Sequence, residues 1–231
     1  MSGDIFLLYS ITKTNYMKKI FLNFALLITS LSLFATEKVT ISCSEQDAKI
    51  YVDGVLVGNG TAKISVDNKE CVNVKITKVG FITAEKNYCI KKKESLPDKD
   101  FIKLEVDEAY TSSVSTDIAN VDIVIRVASG NTPETWKSLN NIILSYFDVI
   151  ELTDKETSYL RTAWAVKTFP SGVVRTRFIV KNDENGFKVK LVSEVSNYIN
   201  ATVKNDEHFR EWDRVLRKYE SVISDLQSRL K

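Results

Sequence analysis

Histidine is almost missing from this chain: His208 stands alone among 231 residues. A serine-type triad needs an imidazole held between a nucleophile and an acid. His208 lies beside Asp206 and Glu207, a setting that predicts the solvated first turn of a helix. Cysteine is scarce as well. Cys43, Cys71 and Cys89 are scattered among expected strands, so the clustered nitrogen and sulfur ligands of a transition-metal site are lacking. There is no glycine-rich phosphate loop and no Gly-x-Ser-x-Gly elbow, and the eight glycines fall mostly in turns. Acids are plentiful, but Glu134, Asp148, Glu151, Asp154 and Glu156 fall at expected helix starts and loops. None of them forms a pair framed by a glycosidase motif. The residues therefore predict no enzyme and no cofactor.

An excess of one charge sign is also lacking. The formal charge is +2, and residues 1–35 hold Lys13, Lys18, Lys19 and a single acid, Asp4. Residues 36–231 thus carry equal numbers of acids and bases. Nucleic-acid binding ordinarily leaves a basic excess, so that class is not expected.

A hydrophobic run long enough to stay in a bilayer is the third absence. From Met17 the chain reads Met-Lys-Lys, then an apolar stretch from Ile20 to Phe34, then Ala35. That order matches the three parts of a secretory signal. The run falls short of the ~20 residues that a spanning helix needs. The expectation is a signal peptide over 17–35, cleaved after Ala35, with 1–16 an extension from a start site placed too early. Membrane association is then expected only through an uncleaved leader or a partner. The mature chain would be periplasmic or extracellular, where thiols oxidise. Three cysteines permit three single bridges and leave one thiol over. Cys71 and Cys89 lie symmetrically about Gly80, so a hairpin there would bring them within bridging reach, and that pair is favoured. Cys43 is not read as a lipidated terminus, because Glu37 and Lys38 separate it from the apolar run.

What is present has two textures. Over 39–90 short alternating segments are punctuated by turn residues, the pattern of a small β-sandwich. Strands are expected at 39–43, 48–52, 62–66, 71–77 and 87–91. Asp53-Gly54 between Ile50-Tyr51-Val52 and Val55-Leu56-Val57 is a strong hairpin signal, since both turn positions favour positive φ. Gly58-Asn59-Gly60 is a second turn. The charged, proline-containing run 91–100 is read as a boundary, giving a domain over 36–97 and a linker over 98–120.

A second unit is expected over 121–231: an α+β antiparallel sheet with two helices. A strand is predicted at 121–127. Thr132-Pro133-Glu134 opens a helix presenting Trp136, Leu139, Ile143 and Tyr146 to a core. Three strands follow at 158–169, 173–181 and 187–198, joined by tight turns. A long helix over 207–230 closes the chain, its stripe formed by Phe209, Trp212, Leu216, Tyr219, Ile223, Leu226 and Leu230. Strict alternation places Leu160, Thr162, Trp164 and Val166 on one face of the meander with Phe178, Val180, Val189 and Leu191. The opposite face then carries Tyr159, Arg161, Arg175, Arg177, Lys188 and Lys190. Five cations and an aromatic ring can hold an acidic partner or lipid headgroups, although antiparallel sheets often carry a merely solvated polar face.

The segment Asp47-Ala48-Lys49-Ile50-Tyr51-Val52-Asp53-Gly54, with Gly58 and later Val79-Gly80-Phe81, resembles the PEGA domain family. Glu45-Gln46-Asp47-Ala48 stands where the family has Pro-Glu-Gly-Ala. The resemblance implies a small extracytoplasmic β-sandwich that serves as an appended module and supplies no catalytic residue. Residues 121–231 resemble the helix-grip domains of BamC-like envelope lipoproteins. Thr135-Trp136 with Leu139, Phe147-Asp148-Val149-Ile150 with Asp154, and the strand through Trp164 carry that likeness. It implies a binding scaffold. The expected function is a non-catalytic envelope protein acting through contacts with a protein partner. The alternative is a glycan or peptidoglycan binder, whose polysaccharide would stack on Tyr51 or Phe81 of the PEGA-like domain.

Overall fold

The computed structural model describes residues 36–67, 70–90 and 95–230. The expected leader over 17–35 and the extension before it lie outside the described residues. Within them the protein is mostly β, built from several antiparallel sheets and few helices. By density of contacts it divides into two units. One holds 36–46, 50–75 and 85–102, and the other 47–49, 76–84 and 103–230.

The N-terminal strands are β1 (Thr36–Cys43), β2 (Lys49–Val52), β3 (Val55–Asn59), β4 (Thr61–Asp67), β5 (Cys71–Thr77), β6 (Ala84–Cys89) and β7 (Lys99–Ile102). They form two sheets, ordered β4-β1-β7 and β3-β2-β5-β6. Period-two alternation decides which side of each strand is hidden. Val39, Ile41 and Cys43 of β1 are buried with Ala62, Ile64 and Val66 of β4, and Val72, Val74 and Ile76 of β5 are buried likewise. The Asp53-Gly54 turn has the conformation its residues demand, with φ of 49° and 84°. Gly60, at φ 63°, is where the chain leaves one sheet for the other. A Cβ there would run into the backbone of Gln46, so this position takes only glycine. The stretch expected as a linker is not irregular. β7 pairs in parallel with β1, from Thr40↔Lys99 to Cys43↔Ile102.

In the other unit, Asp107 caps a short helix α1 (Glu108–Thr111), accepting a hydrogen bond from the Ala109 N–H at 2.9 Å. Strands β8 (Ser113–Ser115) and β9 (Asp122–Arg126) follow, then helix α2 (Pro133–Leu144). Thr132 caps α2 and Pro133 fills its first turn, as the sequence dictates. Strands β10 (Ile150–Asp154), β11 (Tyr159–Thr162), β12 (Ala165–Phe169), β13 (Gly172–Asp183) and β14 (Gly186–Ser196) come next. The chain closes with β15 (Arg210–Glu211), β16 (Arg214–Leu216) and helix α3 (Val222–Arg229).

The hairpin β13–β14, paired from Val173↔Ser196 to Asp183↔Gly186, is the spine of a seven-stranded sheet. β11 and β12 both lie along β13, and β9 and β15 both lie along β14. Trp136, Leu139, Ile142 and Ile143 of α2 and Val222, Ile223 and Leu226 of α3 share one core with Phe178, Val180, Phe187, Val189 and Leu191 of the sheet. Phe147 stacks on Tyr219 within it, ring centroids 4.7 Å apart.

The single closing helix expected over 207–230 is not formed. Its first half is a 3₁₀ turn (Asp206–His208), the strands β15 and β16, and a second 3₁₀ turn (Arg217–Tyr219). The backbone of Arg210 and Glu211 extends the ladder of β14, and β16 pairs with β8. An open sheet edge offers these residues hydrogen bonds that outweigh a helical spacing of apolar side chains.

Candidate binding face

The outer face of the seven-stranded sheet is set by the β13–β14 register. Val174, Thr176, Phe178 and Val180 point to the core, so Arg175, Arg177, Ile179 and Lys181 point away. Opposite them on β14 stand Glu194, Val192, Lys190 and Lys188 respectively. On the flanks, Arg161 of β11 lies across from Ile179, and Asp122 and Val124 of β9 lie across from Lys190 and Lys188. The structure therefore brings Arg161, Arg175, Arg177, Lys188 and Lys190 to one face, with Tyr159 at its β10 margin opposite Asp154.

Trp164 belongs to that face too, against the sequence expectation that it is core. The ladder runs from Arg161↔Ile179 to Ala165↔Thr176, so Thr162, Ala163 and Trp164 stand opposite only Arg177 and Phe178. One extra residue is a β-bulge, and it inverts the facing of everything beyond it. The Phe178 N–H, deprived of a ladder partner, donates to the Thr162 hydroxyl at 2.9 Å. Trp164 swings over the arginines. Val166 follows it outward and is 42% exposed, directly across from Arg175.

The two arginines that lie over the indole differ sharply. Arg175 is 2% exposed. Its guanidinium lies between the Trp164 and Phe209 rings, 4.2 and 4.0 Å from their centroids. Nε donates to Glu194 at 2.6 Å, Nη2 meets Glu194 at 2.5 Å and Asp206 at 2.6 Å, and Nη1 donates to the Val203 carbonyl. Asp206 and Phe209 come from the β14–β15 connection, which roofs this end of the sheet. Arg175 is thus not on an open basic surface, as alternation alone suggests; it is a cation bonded through all three of its guanidinium nitrogens inside the unit.

Arg177 lies over the same indole, 4.1 Å from its centroid. It is half-buried, its guanidinium makes no hydrogen bond among the described residues, and its enclosed Nε has no acceptor. Burial pushes its pKa below the ordinary guanidinium value, and the neighbouring charge of Arg161 adds to the effect. Glu194 and Glu151 oppose that shift, yet each is already held by another arginine. Glu151 accepts from Arg161 Nε at 3.0 Å. Farther along the face, Lys190 meets Asp122 at 3.4 Å.

The remaining candidates fall elsewhere. Cys71 and Cys89 form a disulfide across β5 and β6, neighbours in their sheet, as their symmetry about Gly80 suggests. Cys43 is buried and free, its thiol 3.1 Å from the Glu45 carbonyl. His208 is exposed, in a 3₁₀ turn and not a helix, with its ring 4.9 Å from that of Tyr198. Glu134, Asp148 and Glu156 are exposed. Asp154 accepts from the Glu156 and Thr157 N–H groups and the Thr157 hydroxyl, which hold its carboxyl below the usual range. Among the described residues no three of His, Cys, Asp and Glu stand close enough to hold a metal ion. Tyr51 and Phe81 are half-buried, and the Lys78 ammonium sits 5.0 Å over the Phe81 ring.

Sequence reasoning found the five cations but not what sorts them. Glu194, Asp206 and Phe209 lie far from Arg175 along the chain, and Trp164 reaches it only through the bulge. The nearest hint is the cluster Asp206-Glu207-His208-Phe209, an aromatic set among acids. Together the sheets and this face define a β-rich protein with one disulfide and a charged, aromatic-studded sheet surface. No protein-family model matches the chain, and no curated protein matches it in sequence.

Proposed function

We propose that this is an exported envelope protein without catalytic activity, a binding or scaffolding module that acts through contact with another protein. The observation that carries the reading is the open half of the outer sheet face. There Leu152, Val166 and Val124 are 48%, 42% and 42% exposed, interleaved with Arg161, Arg177, Lys188 and Lys190. Cations among exposed aliphatic side chains suit a polypeptide surface that brings both acids and apolar groups. The Cys71–Cys89 disulfide is compatible with export to an oxidising compartment, and no helix among the described residues is long and apolar enough to cross a membrane. The same reading takes 17–35 as the leader and treats 36–97 and 121–231 as two interaction modules, PEGA-like and helix-grip-like.

The test is cross-linking in intact envelopes followed by affinity capture of the full chain. A defined protein partner is expected with the wild type and is lost when Lys188 and Lys190 are both changed to Glu. Cross-linked envelopes that yield no protein partner refute the reading.

A further inference from the structure

Three guanidinium groups crowd the outer face near Trp164, and three carboxylates lie among them. Arg175 takes two, Glu194 and Asp206, and Arg161 takes the third, Glu151. Arg177 is left over. Every charged group acting on it, namely Arg161, Glu194, Arg175 and Glu151, is already engaged with another of the set. A guanidinium carries five N–H donors, and a partly desolvated one without an acceptor is unfavourable in the isolated protein. Its Nε is shut in, but its two terminal amino groups reach solvent and donate to nothing among the described residues.

The Trp164 ring, itself in contact with the Arg175 guanidinium, lies against the Arg177 guanidinium and limits its movement. A fork fixed in advance loses little freedom when an acceptor arrives. Two parallel N–H groups match the two oxygens of a carboxylate. The surroundings select among carboxylates. Leu152 stands directly across from Arg161 and Val166 directly across from Arg175, both exposed, and Ile179 lies half-buried beyond. A bare ion leaves those side chains in water, whereas an acidic side chain flanked by aliphatic ones covers them.

We propose that Arg177, stacked on Trp164, is the anchor that takes a carboxylate from an acidic segment of a partner protein, with Leu152 and Val166 receiving its aliphatic neighbours. This rests on the protein-contact reading above and assigns the residue on which contact centres. Arg175 binds no ligand; it positions the indole.

The test titrates the full chain, ¹⁵N-labelled at its tryptophan indoles, with three probes. These are an alternating Glu-Val peptide, the matching Gln-Val peptide, and vesicles of phosphatidylglycerol. Trp164→Phe assigns the reporting signal, and unshifted Trp136 and Trp212 signals show an intact fold. The Glu-Val peptide is expected to move the Trp164 signal saturably and the Gln-Val peptide to leave it in place. Arg177→Gln should weaken the peptide about tenfold or more, the loss of a charge-assisted pair. Arg177→Lys, which keeps the charge but not the fork, should fall between. Unchanged affinity in Arg177→Gln overturns the proposal, as does an Arg177-dependent response to vesicles but not to peptide. If Arg177→Gln also keeps the cross-linked partner, the anchor is wrong and the protein-contact reading stands. If the peptide shift depends on Arg177 but the wild type yields no cross-linked partner, Arg177 is a carboxylate-binding fork, and both the protein-contact reading and the assignment of that carboxylate to a partner protein are wrong.

Discussion

Arg175 and Arg177 are two residues apart on one strand, on one face, against one indole ring, and yet they do opposite things. Arg175 has its charge met by Glu194 and Asp206 and its two flat sides covered by Trp164 and Phe209. Arg177 has one ring and no acceptor. The difference comes from the β14–β15 connection, which reaches over the first and stops short of the second. A side chain's role on a sheet face is thus decided by what crosses above it as much as by its register.

Mutation can break this contrast, and the largest effect should come from Arg175→Ala. It leaves Glu194 and the Val203 carbonyl without their donor and opens the space between two rings. A loss of about 3 kcal/mol is expected from chemical denaturation, at the lower end for breaking a buried pair. Phe209→Ala removes one cover from Arg175 alone and should cost about 2 kcal/mol in the same measurement. Arg177→Gln should change stability by no more than about 1 kcal/mol, because the lost stacking is offset by relief from Arg161 and Arg175. Equal costs at Arg175 and Arg177 would erase the distinction.

The smallest effect calibrates the others in a different part of the chain. Asp100 accepts from Lys86 at 2.5 Å and from the Tyr88 hydroxyl at 2.6 Å, and these bonds hold its carboxyl below the usual value. Its stabilising contribution is therefore present above the unfolded carboxyl pKa, about 4, and fades as pH falls through the depressed folded value. With Lys86 half exposed, less than about 1 kcal/mol is at stake. Urea melts repeated across that acid range should show a shallower decline for Asp100→Asn than for the wild type.

Where local chemistry leaves one choice, the structure is legible in the sequence. Asp53-Gly54 is a turn because both residues accept positive φ, and Thr132-Pro133 starts a helix because one caps it and the other lacks the N–H that would go unused. Cys71 and Cys89 meet because a hairpin folds about Gly80. Where the outcome depends on distant partners, the sequence misleads. Phe209, Trp212, Leu216, Tyr219 and Ile223 are spaced for a helix. The free edges of β14 and β8 instead claim the backbone of 210–216, and Phe209 is spent on Arg175. Trp164 escapes the alternation rule for a subtler reason. Alternation extends only as far as the ladder is regular, and no residue between Thr162 and Ala165 advertises the extra one.

The parallel pairing of β1 with β7 has its own consequence for how the N-terminal sheet is assembled. β1 is the middle strand, yet it leaves the ribosome before either neighbour, and β7 follows only after the turns and hairpins between them. Its second edge must wait, unsheltered, while the intervening strands are made. Val39 and Ile41 sit on that strand, and until Lys99–Ile102 arrives the edge that will receive it has no partner.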